Sequence, residues 1–165
     1  SSSPELAAMG TRGETAPPSA RVTVGEDETR ALARELAALL GEGDVVALVG
    51  PLGAGKTAFV RGLAEGLGLA AGERVASPSY TLVNEYRLAS AVRGASRLVH
   101  LDLYRLGGDD ADEALEALGF SELGSRAIVV VEWPEHAADA LAAATWRVDI
   151  EDAGGDTRRV IVARA

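Results

Sequence analysis

Eight residues, GPLGAGKT at Gly50–Thr57, constrain this chain more than any other feature. They match the pattern G-x-x-x-x-G-K-[ST], a glycine-rich turn that leads from a strand into a helix. The flanking sequence supplies both elements. DVVALV (Asp44–Val49) is an apolar, β-branched run, as expected of a strand buried on both faces. TAFVRGLAEGLG places Phe59, Val60, Leu63 and Leu67 on one side of a helix. Such a loop wraps a phosphate with backbone N–H groups, and its glycines let the backbone approach closely. The helix that follows aims its positive N-terminal end at the same anion. In this reading Gly50, Pro51, Leu52, Gly53, Ala54, Gly55, Lys56, Thr57 and Ala58 bind the phosphates of a nucleotide. Lys56 reaches the β- and γ-phosphates, and Thr57 offers its hydroxyl to Mg2+.

Lys56 is the only lysine beside fifteen arginines. A general composition bias toward Ala, Gly and Arg accounts for most of the missing lysines, but not for the one that remains. A lysine is a compact point charge on a flexible stem, whereas the planar arginine fork does not fit a tight phosphate cradle.

The 165 residues suffice for one domain with a full core. Aromatics make up only 4%, so that core is built mostly from Ala, Val and Leu. There are no cysteines, hence no disulfide framework and no thiolate site. Nothing is apolar for long enough to span a membrane, and the N-terminus lacks a signal-peptide pattern. A cytoplasmic location is the expectation. The net charge of −9 argues against binding nucleic acid through a general basic face.

Residues 1–20, rich in Ser, Pro, Gly and Ala, read as a disordered tail, and 21–165 as a single domain. RVTV (Arg21–Val24) reads as a strand. DETRALARELAALL reads as a helix with Leu32, Leu36, Leu39 and Leu40 on one face and Gly41 at its C-cap. SYTLVNEYRL and SRLVHLDLY read as a hairpin around the loop ASAVRGA. A short acidic helix (DDADEALEALGF), a second buried strand (AIVVVEW), a helix opened by a proline (PEHAADALA) and two alternating C-terminal strands complete the chain. The expected fold is α/β: a three-layer sandwich with a mostly parallel central sheet, an antiparallel hairpin insert and antiparallel C-terminal edge strands.

A phosphate-loop site needs a second element to hold its metal, usually an acidic residue ending a neighbouring buried strand. Glu132 in VVVEW stands in that position, although Asp is the commoner residue there. His100 and Asp102 in HLDLYRL lie two apart and share a strand face. On periodicity alone they line a cleft or lie on a solvated sheet face with equal ease. No Asn-Lys-x-Asp segment reads guanine, so ATP is the expected nucleotide. The Leu-Ser-Gly-Gly signature of transporter ATPases and a late arginine-rich lid are also missing.

Four segments in order, GPLGAGKT, SPSYTLVNEY (Ser77–Tyr86), HLDLYRL and VEWPE, resemble the TsaE (YjeE) family of bacterial ATPases of tRNA threonylcarbamoyladenosine synthesis. The likeness runs from about Val22 to the C-terminus. It implies an accessory ATPase that binds ATP and Mg2+, hydrolyses ATP slowly, and supports TsaD and TsaB as they transfer threonylcarbamoyl to an adenosine beside the tRNA anticodon. The tRNA is then met only through those partners, which fits the acidic surface. The resemblance also implies roles for residues: Lys56 on phosphates, Thr57 and Glu132 on Mg2+, Asp102 beside metal and water in hydrolysis, and Trp133 beside the nucleotide. Ser77, Pro78, Ser79, Tyr80 and Thr81 would form a switch loop near the γ-phosphate. Without the resemblance, that stretch reads more readily as an ordinary turn into a strand, and Trp133 as core packing. A small-molecule kinase using the same cradle and a nucleotide-dependent binding module are the alternatives.

Overall fold

The computed structural model describes residues 19–77, 82–107 and 109–165. Residues 1–18 of the expected tail (1–20) and Pro78–Thr81 of the expected switch loop lie outside the described residues, while Ser19 and Ala20 belong to a strand rather than to a tail.

Seven strands form one sheet: β1 (Ser19–Val24), β2 (Val45–Val49), β3 (Val83–Val92), β4 (Ala95–Asp102), β5 (Ala127–Glu132), β6 (Trp146–Asp152) and β7 (Thr157–Arg164). Their spatial order is β1-β7-β6-β2-β5-β4-β3. The central four, β6-β2-β5-β4, are parallel. β7 and β1 extend one side antiparallel, and β3 closes the other antiparallel to β4. The sandwich is therefore as expected, with one refinement. The second strand of the hairpin is itself a member of the parallel core, and only β3 is its antiparallel edge.

The helices are α1 (Gly25–Ala37), α2 (Lys56–Leu67), α3 (Asp109–Ala117), α4 (Phe120–Leu123) and α5 (Ala138–Ala143), with a 3-10 turn at Pro134–His136. One core lies between α1–α2 and the sheet: Leu36, Phe59, Leu63, Val46, Leu98, Val130 and Trp146 are among its buried residues. The other lies under α3 and α5, with Leu115 and Ala140 against Val99, Leu101 and Val131. The period-2 alternation along β4 and β5 divides their side chains between these two cores.

α1 and α2 pack with almost no side-chain spacer. A Cβ on Gly62 would lie 2.4 Å from the Arg30 carbonyl oxygen and 2.6 Å from the Ala33 Cβ, and one on Gly66 would lie 2.6 Å from the Ala37 Cβ. Glycines four apart on α2 thus meet alanines four apart on α1. This close approach fixes α2 against α1.

Four local expectations change. β1 begins at Ser19, two residues before Arg21, because Ser19 and Ala20 pair with Val162 and Ile161. α1 ends at Ala37, short of Gly41, whose N–H is taken instead by the buried Asp44 carboxylate at 2.8 Å. The hairpin loop shrinks to Arg93–Gly94: β3 runs on to Val92, which pairs with Ala95. Both turn residues have positive φ (42° and 86°), the geometry that suits a two-residue hairpin connection. The helix opened by Pro134 is split by Ala137, which is extended (φ −140°) between the 3-10 turn and α5.

Candidate functional site

β2 ends at Val49 and α2 starts at Lys56, so Gly50–Gly55 must reverse the chain in six residues. Gly53 (φ 76°) and Gly55 (φ 101°) occupy the left-handed region that glycine adopts without steric cost. Gly50 is required for a different reason. A Cβ there would lie 2.7 Å from the Ile150 carbonyl oxygen on β6. The loop therefore seats against the sheet at the N-terminus of α2.

A cleft of about 420 Å³ opens over this loop. It brings together Leu52, Gly53, Gly55, Lys56, Thr57 and Ala58 from the loop and helix, Asp102 from β4, Glu132 from the end of β5, Trp133 directly after it, and Ser77. Residues far apart in sequence that were singled out for nucleotide, metal and hydrolysis thus share one cavity. Gly50, Pro51 and Ala54 shape the loop from outside that lining. A larger cavity of about 670 Å³ lies elsewhere, walled by Val45, Leu115, Phe120 and Val129. Its only charged lining residues are Glu116 and Asp139, so it carries no positive side chain for an anion.

Lys56 is 5% exposed. Its ammonium donates to the Gly50 carbonyl at 2.5 Å and sits 4.0 Å from the centre of the Trp133 ring. Burial holds it below the ordinary lysine range, and the negative charges of Glu132, Asp102 and Glu135 partly offset that. Facing it, Asp102 and Glu132 are paired across adjacent parallel strands. The Asp102 carboxyl is pushed up by burial, most of all, and by Glu132. The Tyr104 N–H, 2.9 Å from Oδ1, then His100 and Lys56, act the other way.

His100 settles the open question about its strand face. It is fully buried, and its Nε2 lies 2.5 Å from Glu132 Oε2. The face that carries His100 and Asp102 runs from the α1–α2 core into the cleft, and it is not a solvated sheet face. Trp133 takes a left-handed conformation (φ 57°) directly before Pro134, an uncommon state for a bulky residue. That turn lays its ring over Lys56 and against Tyr104 (5.1 Å between ring centres) and His136 (5.5 Å). His136 Nδ1 donates to the Leu103 carbonyl at 2.7 Å and holds the turn in place.

Sequence reasoning missed several cleft residues. Tyr104 and Arg105 line it, two and three positions after Asp102. So do Arg61 and Glu26, an ion pair at 3.2 Å between α2 and the start of α1. Arg61 follows Thr57 by one helical turn, a spacing that places both on one face, and this was the available signal. For Glu26 the sequence carries none.

Asp102, Glu132 and the Thr57 hydroxyl form an all-oxygen set, the donor chemistry suited to a hard divalent cation. Among the described residues no three His, Cys, Asp or Glu side chains form a closed cage. Mg2+ commonly accepts such a partial set, because it keeps waters and takes further oxygens from phosphates.

A central parallel strand that runs through a glycine loop into a helix, with a carboxylate at the end of the next strand, defines the phosphate-loop class of α/β proteins. Within that class the chain is placed by its relatives. Residues 23–161 match the family model for the threonylcarbamoyl adenosine biosynthesis protein TsaE. The tRNA threonylcarbamoyladenosine biosynthesis protein TsaE of Bacillus subtilis is 37% identical over 139 residues, 84% of this chain and 80% of that protein. The protein of the same name from Streptomyces coelicolor is 42% identical over 78% of this chain and 82% of its own length. The crystal structure of Bacillus subtilis YdiB superposes with a TM-score of 0.67 at 30% identity, covering 90% of this chain and 87% of that one. The chain belongs to the TsaE family.

Proposed function

We propose that this protein is a cytoplasmic, Mg2+-dependent ATPase that binds ATP in the cleft over Gly50–Thr57, hydrolyses it slowly, and thereby supports TsaB and TsaD in forming N6-threonylcarbamoyladenosine next to the tRNA anticodon. One observation carries this reading: Lys56, Thr57, Asp102, Glu132 and Trp133, drawn from three separate segments, line a single cleft at the N-terminus of α2. The names borne by the family and its relatives supply the pathway.

In this reading the loop amides and Lys56 take the phosphates, with Lys56 exchanging the Gly50 carbonyl for phosphate oxygens. Thr57 and Glu132 hold Mg2+, which supplies charge neutralisation on those oxygens when bound. Asp102 orients the attacking water and receives its proton. Its carboxyl is a stronger base than an ordinary aspartate, which suits that task. Trp133 covers Lys56 and excludes solvent from the phosphate side. The acidic surface (net charge −9) is compatible with docking to a protein partner, the tRNA being held by that partner.

Complementation tests the reading. In bacterial cells depleted of their own TsaE, the wild-type chain should restore the modified adenosine in bulk tRNA, and Lys56→Ala should not. Equal restoration by both would overturn the nucleotide-dependent role.

A further inference from the structure

Arg158 stands on β7, two strands away from the strand that feeds the glycine loop, and sequence gave it no role beyond a strand position. Val160 and Val162, on the same face of β7, are buried in the core under α1 and α2. Arg158, two residues earlier, points to that side at the end of the strand. Its guanidinium reaches the outside of the phosphate loop. Nε donates to the Ala54 carbonyl at 3.0 Å, and one terminal nitrogen donates to the Gly53 carbonyl at 3.3 Å. The other terminal nitrogen donates to the carbonyls of Gly155 (2.6 Å) and Thr157 (3.0 Å) in the β6–β7 turn. The side chain is 18% exposed, and the carboxylate it pairs with, Asp152 at 3.5 Å, is 62% exposed. This is a backbone clamp between two segments rather than a surface ion pair.

The Ala54 carbonyl shares its peptide plane with the Gly55 N–H, an amide that would face an anion, whereas the Gly53 carbonyl shares its plane with the Ala54 N–H, which donates to the Pro51 carbonyl at 3.2 Å and closes the turn. A loop that cradles phosphate has its N–H groups inward and its carbonyls outward. Outward carbonyls with no partner leave the loop free to rotate its peptide planes, and the amides are then no longer aligned in advance. We propose that Arg158 is a positioning residue for the phosphate cradle: by fixing the Ala54 carbonyl it aims the Gly55 N–H, and by fixing the Gly53 carbonyl it steadies the turn closed by the Ala54 N–H, before the anion arrives. This rests on the phosphate-binding reading of the loop. The planar fork is what the role requires, since a lysine at the same place keeps the charge but cannot reproduce four donors in fixed directions.

The test uses the full chain with ADP and inorganic pyrophosphate as probes, both with Mg2+, titrated by calorimetry against the wild type, Arg158→Ala, Arg158→Gln and Arg158→Lys. Arg158→Ala and Arg158→Gln should bind both probes about tenfold more weakly, the equivalent of one lost charge-assisted contact. Arg158→Lys should recover less than half of the loss in log Kd. Without nucleotide, the amides of residues 53–56 should exchange with solvent faster in the variants, while those of β5 do not change. A purely structural role would lower Tm and leave the Kd values and loop exchange unchanged, and that overturns the proposal. Full recovery by Arg158→Lys overturns it too, since charge alone would then suffice. If Arg158→Ala does not fold, Arg158→Gln and Arg158→Lys decide by the same criteria. If the wild type fails to bind either probe, or Lys56→Ala binds as well as the wild type, the phosphate-binding reading itself has failed.

Discussion

His100 and Glu132 meet across neighbouring parallel strands, imidazole Nε2 to carboxylate Oε2 at 2.5 Å, with both side chains buried. A carboxylate can only accept, so Nε2 carries the proton, while the buried Nδ1 has no hydrogen-bond partner among the described residues. One oxygen of Glu132 is thereby tied down and the carboxylate plane is set. The other oxygen is left for the cleft. Glu132→Gln keeps an acceptor for His100 and removes the charge. It should retain the fold, with Tm within a few degrees of the wild type, and lose the Mg2+-dependent gain in nucleotide affinity. Titrations with and without Mg2+ check this; equal losses in both would remove Glu132 from the metal site.

The Lys56 ammonium is held by the Gly50 carbonyl and the Trp133 ring, and neither contact needs a phosphate. Lys56→Ala should lower nucleotide affinity by about a hundredfold or more, since a charge-assisted pair in a low-dielectric site is lost. The intrinsic fluorescence change expected from Trp133 on nucleotide addition should vanish with it. ATPase activity at the wild-type level in this variant would sink the site assignment.

Asp102 carries a pH prediction. Burial raises its carboxyl above the ordinary aspartate range in the folded state. The folded protein therefore holds a proton that the unfolded chain releases, and stability declines as pH rises from the ordinary aspartate pKa through the raised one. Above that window the ionised carboxylate is a net cost. Asp102→Asn keeps an Oδ1 acceptor for the Tyr104 N–H and removes the charge. It should raise Tm near neutral pH, with the gain shrinking as pH falls through the carboxylate range, while ATP hydrolysis slows at least tenfold and ATP binding persists. Thermal melts from pH 4 to 8 give the first result and single-turnover assays the second. A lower Tm at pH 7 would contradict the burial argument, and an unchanged rate would remove Asp102 from hydrolysis.

The α1–α2 contact makes a prediction about the scaffold. Gly62→Ala places a Cβ 2.4 Å from the Arg30 carbonyl oxygen, and backbone must move to admit it. The cost should be about 1–3 kcal/mol, a drop of roughly 2–10 °C in Tm. Wild-type stability in that variant would show that the helices do not pack this closely.

Much of the site was legible because its chemistry is local. The glycine loop, the helix it opens and the buried run ending in Glu132 each declare themselves within about ten residues, and the structure brings them together. What was hidden depends on pairing. His100 gave no sign of its partner, because the contact spans thirty-two residues and arises only when β4 lies beside β5. Val92 looked like loop because the Ala-Ser-Ala before it favours no strand, and pairing with β4 overrides that weak preference. The left-handed turn at Trp133 contradicts the ordinary preference of a residue before proline. The clamp at Arg158 needs both the sheet order and the β6–β7 turn, neither of which is written in any single segment.

The most direct test of the central claim is Mg2+-dependent ATP hydrolysis by the purified chain, measured alone and with TsaB and TsaD, with Lys56→Ala as the control. A slow basal rate, stimulated by the partners and lost in the variant, is the expected result. A rate indifferent to the partners, or one that survives in Lys56→Ala, would contradict an ATPase working from this cleft in that pathway.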